Sequence, residues 1–220
     1  MDGWPVMLNV RGRRAVVVGG GAVAARRASS LREAGALVTV IAPQVTATLA
    51  CAEVTVHRRG YEAGDLAGAW LVVVATDDAA VNAQVASDAA AAGVLVNRAD
   101  DPAGSDVVAM ASGRRGPITV AVHSGQVSAG AAAAMRDELV AALRPTWVEL
   151  LTVAAGYRAR IQAAIAEPGE RVRRLRLLAS PGAMAVLERE GEAGLRRRCE
   201  ALADPASPVP EDEEAAAGVQ

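Results

Sequence analysis

Gly19-Gly20-Gly21-Ala22-Val23-Ala24 has the spacing G-x-G-x-x-A, follows the β-branched run Arg14–Val18 and opens a stretch of helix formers. In that setting Gly19 makes a tight turn, Gly21 lets the backbone approach a pyrophosphate, and small Ala24 allows close helix–strand packing. The helix N-terminus adds free amide donors and the positive end of its dipole. The chemistry indicated is dinucleotide binding; the plainer alternative is a glycine turn in an ordinary α/β protein. One part of the pattern is missing. An acidic residue for the ribose hydroxyls is expected about 20 positions on, but the next strand ends Ile41-Ala42-Pro43-Gln44, and the nearest carboxylates are Glu33 and Glu53. Gln44 or backbone atoms would have to substitute, and the motif does not choose between NAD and NADP.

Two acidic segments end later strands. Thr76-Asp77-Asp78 follows Trp70–Ala75, at the carboxyl edge where ligands of such sheets bind. Asp there is equally a preferred helix N-cap. Asn97-Arg98-Ala99-Asp100-Asp101-Pro102 follows the last parallel strand and faces the same crevice. A carboxylate at that position is suited to moving the proton that accompanies a hydride; Asp before Pro is also ordinary turn chemistry. His57 and His123 are the two histidines, and with Cys51 and Cys199 they show no short ligand spacing, so no zinc site is expected. Ser124 and Ser128 lack a Gly-x-Ser-x-Gly setting for a nucleophile. The arginine runs Arg171–Arg176 and Arg196–Arg198 read as solvated helix faces or, more specifically, as a polycarboxylate clamp.

The elements that must position these residues alternate. Strands are expected at Arg14–Val18, Leu37–Ile41, Glu53–His57, Trp70–Ala75 and Val94–Asn97, with helices at Ala22–Ala34, near Thr46–Cys51 and at Asp78–Ala92. That alternation implies a parallel, doubly wound sheet. Asp106–Met110 and Pro117–Val122 then flank Ser112–Gly116 as an antiparallel hairpin. Helices follow at Ala129–Leu143, capped by Ser128, and from Thr146, where Thr146-Trp147-Val148-Glu149 has capping-box spacing, to about Ala166. Two more are expected near Glu170–Ala179 and Gly182–Ala203, and a solvated acidic tail from Asp204. The organisation is a Rossmann-like nucleotide domain over 1–113, a hairpin-plus-helix segment over 114–145, a small all-helical domain over 146–203 and a tail over 204–220.

Composition narrows the function classes. The chain has 220 residues, 52% hydrophobic and 22% charged, with formal net charge −2, which gives no electrostatic reason to expect nucleic-acid binding. Aromatics are 2%, too few for base-stacking platforms. All 23 Lys+Arg residues are arginine, so Schiff-base and phosphate-loop lysine chemistry is excluded. No apolar run approaches the roughly 18 residues of a membrane span, and Met1–Arg14 shows no secretory pattern. The two cysteines suit reduced thiols, and the expectation is a soluble cytoplasmic protein.

Taken in order, VVVGGGAVAARR, LVTVIAP, ATDD, VNRADDP and PITVAVHSGQVS resemble the precorrin-2 dehydrogenase / sirohydrochlorin ferrochelatase family, also found as the amino-terminal half of siroheme synthases. The likeness runs from Trp4 to about Ala203. It implies a homodimer that oxidises precorrin-2 with NAD⁺ and, in many members, inserts Fe²⁺ into the product. By the same likeness Gly19, Gly20, Gly21, Ala22 and Val23 hold the pyrophosphate, Pro43 and Gln44 lie on the adenosine side, and Thr76 and Asp77 near the nicotinamide. The family's essential aspartate falls on Asp100. Candidates for the substrate are Arg98, Arg114 and Arg115 with Ser124 and Ser128, in a pocket between sheet edge and helical domain. The chain departs from the family at Asp106–Met110 and at Gly125-Gln126-Val127-Ser128-Ala129, where a second glycine and a proline are usual. A dehydrogenase of another substrate and a non-enzymatic NAD-binding sensor are the competing functions.

Overall fold

The structure is a computed structural model and describes residues 3–50 and 52–209. Cys51 and the acidic run Glu211–Glu214 lie outside the described residues. The chain divides into two compact units, Met1–Ala109 and Met110–Gln220.

In the first unit β1 (Arg14–Val18), α1 (Ala22–Glu33), β2 (Leu37–Ile41), the one-turn α2 (Ala47–Ala50), β3 (Thr55–His57), β4 (Leu71–Val74), α3 (Ala79–Ala92) and β5 (Leu95–Arg98) follow in order. The strands pair in parallel in the order β3-β2-β1-β4-β5. β1-α1-β2 and β4-α3-β5 are helical crossovers, and the non-helical segment 58–70 carries the chain from β3 to the other side of β1. Strand residues are apolar on both sides because both faces are covered. Ala15, Val17, Val40 and Val73 pack with Ala24 and Ala28 of α1. Val16, Val18, Val72 and Val96 pack on the opposite face with Val85 and Ala89 of α3. The chain reverses direction of travel between β1 and β4, and their carboxyl ends frame the crevice where ligands of such sheets bind.

The segment expected as the first hairpin strand serves another purpose. Val96 N donates to Asp106 Oδ2 at 3.0 Å, Asp106 N and Val107 N donate to Val96 O at 2.9 and 3.0 Å, and Arg98 N donates to Ser105 Oγ at 2.9 Å. Ser105, Asp106 and Val107 thus satisfy the outer edge of β5, which would otherwise be unpaired. The hairpin itself is β6 (Ala111–Arg115) and β7 (Ile118–Val122), antiparallel with Arg115 opposite Ile118. Its loop is only Gly116-Pro117, with Gly116 at φ +57°, the positive φ that tight hairpin loops need at their first position. Of the residues expected as a loose turn, Ser112 to Arg115 are therefore strand and Gly116 alone stays in the loop.

The second unit continues with α4 (Ala129–Ala142), α5 (Pro145–Ala164), α6 (Pro168–Leu177) and α7 (Pro181–Ala203). α4 packs on the hairpin where Gly113 offers no side chain; a Cβ there would stand 2.8 Å from Arg136 Cδ. α5, α6 and α7 share a core around Leu150, Tyr157, Ile161, Leu195 and Leu202. α5 starts at Pro145, where a missing N–H costs nothing, rather than through a Thr146–Glu149 capping box. Gly191, at φ +66° and ψ −169°, breaks α7 in a conformation that only glycine adopts readily, a break absent from the sequence expectation. Burial pushes the Cys199 thiol up to about 11, so it is an inert core group.

Arg174 overturns the reading of its run as surface. It is 1% exposed, and its guanidinium donates to the carbonyls of Ala201, Leu202, Asp204 and Ser207 and to Glu170 Oε1. These are the orphan carbonyls at the end of α7 and just beyond it. Val209 also packs on the helical core, so the chain from Asp204 to Val209, although exposed at Asp204, Pro205, Ala206 and Pro208, is tied to the domain.

Candidate functional site

The glycine turn at the end of β1 has two glycines fixed by the protein and one that is not. Gly19 adopts φ +128°, and a Cβ there would stand 2.2 Å from the Ala75 carbonyl oxygen, where β1 and β4 end side by side. A Cβ on Gly20 would stand 1.8 Å from the Gln44 carbonyl oxygen, and Thr46 N donates to Gly20 O at 3.0 Å. The exposed Pro43-Gln44 segment is thereby brought against the turn. At Gly21 a Cβ would meet nothing within 4 Å. No packing demands glycine there, which fits a position kept clear for a ligand's close approach.

The first turn of α1 adds a second observation. Its N-cap, Gly21, makes no side-chain cap, and the first turn holds no acidic residue. The amides of Ala22, Val23 and Ala24 therefore have no protein acceptor from a cap, and the positive end of the dipole is unopposed. By contrast Asp78 caps α3, Ser128 caps α4, Glu167 caps α6 and Ser180 caps α7, while α5, also without a side-chain cap, opens on Pro145, which has no N–H to satisfy. The residues present fit a dinucleotide's pyrophosphate.

The carboxyl ends of β4 and β5 carry the other chemistry. Their register sets Val74 beside Arg98, and Ala99 N donates to Val74 O at 2.9 Å. The Thr76 and Asp100 turns are consequently neighbours. Asp78 Oδ1 accepts from Ala80 N and Val81 N at 2.9 and 3.1 Å, so this Asp is an N-cap, and Asp77 is exposed beside it. Thr76 Oγ1 donates to Asn82 Oδ1 at 2.6 Å. Arg98 holds Asp100 with a fork, Nε to Oδ1 at 3.2 Å and Nη2 to Oδ2 at 2.8 Å, and its Nη1 lies 3.1 Å from Asp101 Oδ2. The Arg98 hydrogen bonds hold the Asp100 carboxyl below the usual aspartate range against partial desolvation, with a further hydrogen bond from Asn82. The Asp100 side chain is 35% exposed, so it is an ionised acceptor open to the crevice. Arg98 itself is engaged by two carboxylates.

The candidates in the second unit are woven into local structure. Arg114 Nε donates to Thr119 Oγ1 across the hairpin at 3.2 Å, and Arg115 donates to the carbonyls of Ala141 and Leu143 at the end of α4. Ser124 Oγ donates to Ser128 O at 2.8 Å, while Ser128 Oγ accepts from Ala131 N at 3.1 Å as the α4 cap. Among the described residues no group of three or more His, Cys, Asp or Glu could hold a metal ion. Among them, too, no single helix is long and apolar enough to cross a membrane. Asn82 is the site residue the sequence reading missed. Its one signal is an amide four residues after the N-cap on an apolar helix face.

A parallel 3-2-1-4-5 sheet with a bare glycine turn at its switch point defines a Rossmann-class dinucleotide-binding domain. Residues 6–111 match a family model described as "Putative NAD(P)-binding". Siroheme synthase of Pseudomonas putida (strain W619) is 40% identical over 177 residues, 78% of this chain and 38% of that protein. The siroheme synthase of Nitrosococcus oceani is 39% identical over 175 residues, again 78% of this chain and 37% of its own length. The chain thus spans well under half the length of these relatives. A solved structure, SirC, precorrin-2 dehydrogenase, superposes with TM-score 0.70 at 24% identity, covering 90% of this chain and 98% of that one, and so shares its fold. Over the matched residues the chain is thus similar to part of each of these siroheme synthases, and it shares the fold of the precorrin-2 dehydrogenase.

Proposed function

We propose that the protein oxidises precorrin-2 to sirohydrochlorin with NAD⁺ in siroheme biosynthesis. The observation that carries the reading is an uncapped glycine turn and an ionised Asp100 on the carboxyl edge of one sheet. The siroheme synthases and the precorrin-2 dehydrogenase to which the chain is similar supply the substrate. Bound NAD⁺ supplies a two-electron acceptor, and the balanced reaction is precorrin-2 + NAD⁺ → sirohydrochlorin + NADH + H⁺.

The chain's own part is binding and proton handling. The amides of Ala22 and Val23, with the clear face of Gly21, seat the pyrophosphate; Pro43 and Gln44 border the adenosine, and Thr76 and Asp77 the nicotinamide. Asp100 accepts the proton that the macrocycle releases, and Arg98 keeps that carboxylate ionised. Arg114, Arg115, Ser124 and Ser128 are the second unit's candidates for the substrate's carboxylates. The reading extends to Fe²⁺ insertion into the product, with Asp100 taking the pyrrole protons, and to a cytoplasmic homodimer. Val127, Met135, Leu139 and Trp147, exposed at 87%, 42%, 51% and 39%, support a second copy against the second unit. The domain division 1–113, 114–145 and 146–203 is kept as the functional description of nucleotide, dimer and helical parts.

The test is anaerobic NADH formation from NAD⁺ and freshly made precorrin-2. The parent is expected to turn over, and Asp100→Ala to lose at least 100-fold in kcat with NAD⁺ affinity intact, the scale expected for removing an acid–base group. Fe²⁺ addition afterwards tests chelation by the absorbance of siroheme. No NADH from a folded, NAD⁺-binding parent would sink the enzyme reading.

A further inference from the structure

Arg27 lies in α1, four residues past Val23 of the uncapped first turn. It is half-buried, and its Nε is buried without a hydrogen-bond partner. Of the arginines withdrawn from solvent, it alone among the described residues has no partner of any kind. Arg14, by comparison, donates to the carbonyls of Asp65 and Ala67, and Arg98 is held by two aspartates. Burial, and then the neighbouring Arg26 charge, holds the Arg27 guanidinium below the usual arginine range. A partly desolvated cation with no counter-charge costs the free protein stability. Helix geometry places this cation. α1 packs on β1, β2 and β4. Arg32 marks its β2–β3 flank, because its Nη1 lies 3.1 Å from Glu53 Oε2, just before β3. At about 3.6 residues per turn, Arg27 falls on the other side of the buried residues Ala24 and Ala28, on the β4 flank. Helical side chains lean toward the N-terminus, so a residue at this position covers the turn at Val23.

We propose that Arg27 is a cofactor-binding residue: its guanidinium takes a phosphate oxygen of a dinucleotide seated on the uncapped first turn of α1. The inference rests on the reading of that turn as a dinucleotide site. The free amides and the helix dipole offer a pyrophosphate only partial positive charge. A guanidinium adds a full charge and a planar fork of donors that matches phosphate oxygens. The chain has no lysine to do this, and the first turn has no acidic residue to compete for Arg27. Arg26, next in the chain, is exposed and turns away from the sheet. The free protein thus carries an unsatisfied donor set and an unsatisfied cation on one helix end, and one anion satisfies both.

The test is calorimetric titration of the intact protein with NAD⁺. Arg27→Met keeps the apolar stem and removes the charge and the fork; its Kd is expected to rise about tenfold, or about 1.4 kcal/mol. Arg27→Lys keeps the charge without the fork and is expected to fall between variant and parent. Arg26→Met removes the same charge one residue away, and its Kd is expected to stay within about twofold. Added salt should weaken NAD⁺ binding by the parent more than by Arg27→Met. The urea midpoint of free Arg27→Met is expected to hold or rise, because an unpaired, partly buried charge is gone. Should Arg27→Met not fold, Arg27→Gln decides on the same readout. Unchanged NAD⁺ affinity in the folded variant overturns the proposal and leaves Arg27 as a stem covering apolar surface. An equal loss in Arg26→Met overturns it too, since only the overall charge of the helix would then matter. So does a raised KM for precorrin-2 with NAD⁺ affinity intact, which would give Arg27 to the substrate. If the parent itself takes up no NAD⁺, the dinucleotide reading fails and takes this proposal with it; a binding parent beside an equally binding variant removes the proposal alone.

Discussion

The crevice at the carboxyl edge of the sheet has two halves built on opposite plans. Beside β1 and β2 the chain leaves its polar groups open: α1 has no side-chain cap, no acidic first turn, and empty space where Gly21 would carry a Cβ. Beside β4 and β5 most polar groups are satisfied from within, through Asp78 on the α3 amides, Asn82 on Thr76 and Arg98 on Asp100 and Asp101, with Asn97 Oδ1 buried and unpartnered. Both helices follow a parallel strand of the same sheet, so secondary structure alone does not account for the difference. A helix N-terminus left uncapped forgoes about 1 kcal/mol, and that sacrifice makes sense where a ligand's phosphates act as the cap. The other half holds its carboxylate through the Arg98 fork, as a group that must present one carboxylate in one orientation requires.

The sharpest way to break this contrast is to give the open half what the closed half has. Gly21→Asp places a capping carboxylate and a negative charge at the α1 N-terminus. NAD⁺ affinity by calorimetry is expected to fall about 1,000-fold, roughly 4 kcal/mol, because the side chain takes the pyrophosphate's amides and repels its charge. Thermal stability of the free protein should hold or rise, as a new cap stabilises a helix. Loss of binding accompanied by loss of stability would mean that Gly21 is needed for the fold after all. The reverse exchange is smaller. Asp78→Ala strips the cap from α3 and should cost about 1 kcal/mol in urea unfolding, with NAD⁺ affinity within twofold. A tenfold loss of NAD⁺ affinity would instead place Asp78 in the binding site.

The open half was far easier to read from sequence than the closed one. The glycine spacing and the β-branched run before it are local and contiguous, and the strand–helix alternation follows from periodicity, so a parallel, doubly wound sheet and the position of the turn were legible, while the strand order was not. Asp100 was placed near the crevice by its position after a strand. What no local pattern carried were partners distant in sequence. Arg98 looked like a free guanidinium for substrate and is engaged by Asp100 and Asp101; Asn82 went unnoticed and is buried with its amide on the Thr76 turn. In the second unit, Arg174 resembled its solvated neighbours in an arginine run, yet it alone points inward to collect the carbonyls of Ala201, Leu202, Asp204 and Ser207. Its partners lie a helix away in sequence, and only the packing of α6 on α7 brings them into reach.

The smallest expected effect probes the closed half directly. Arg98→Gln removes the cation that holds the Asp100 carboxyl below its ordinary range, leaving the Asn82 donor in place. Because the folded-state value is depressed, the stabilisation it represents is complete above the unfolded value of about 3.9 and is lost as pH falls through the folded value. At pH 7 the parent should therefore have the higher urea midpoint. The gap should narrow on acidification as Asp100 becomes protonated in the folded state, since Arg98 then loses the charge it pairs with there. The exposed edge of the pair keeps the difference at pH 7 small, and raising the salt concentration should reduce it further. A gap that stayed constant from pH 7 to pH 2 would mean that Arg98 supports this turn by packing alone, and the closed half would then owe the state of its carboxylate to Asn82 and the backbone.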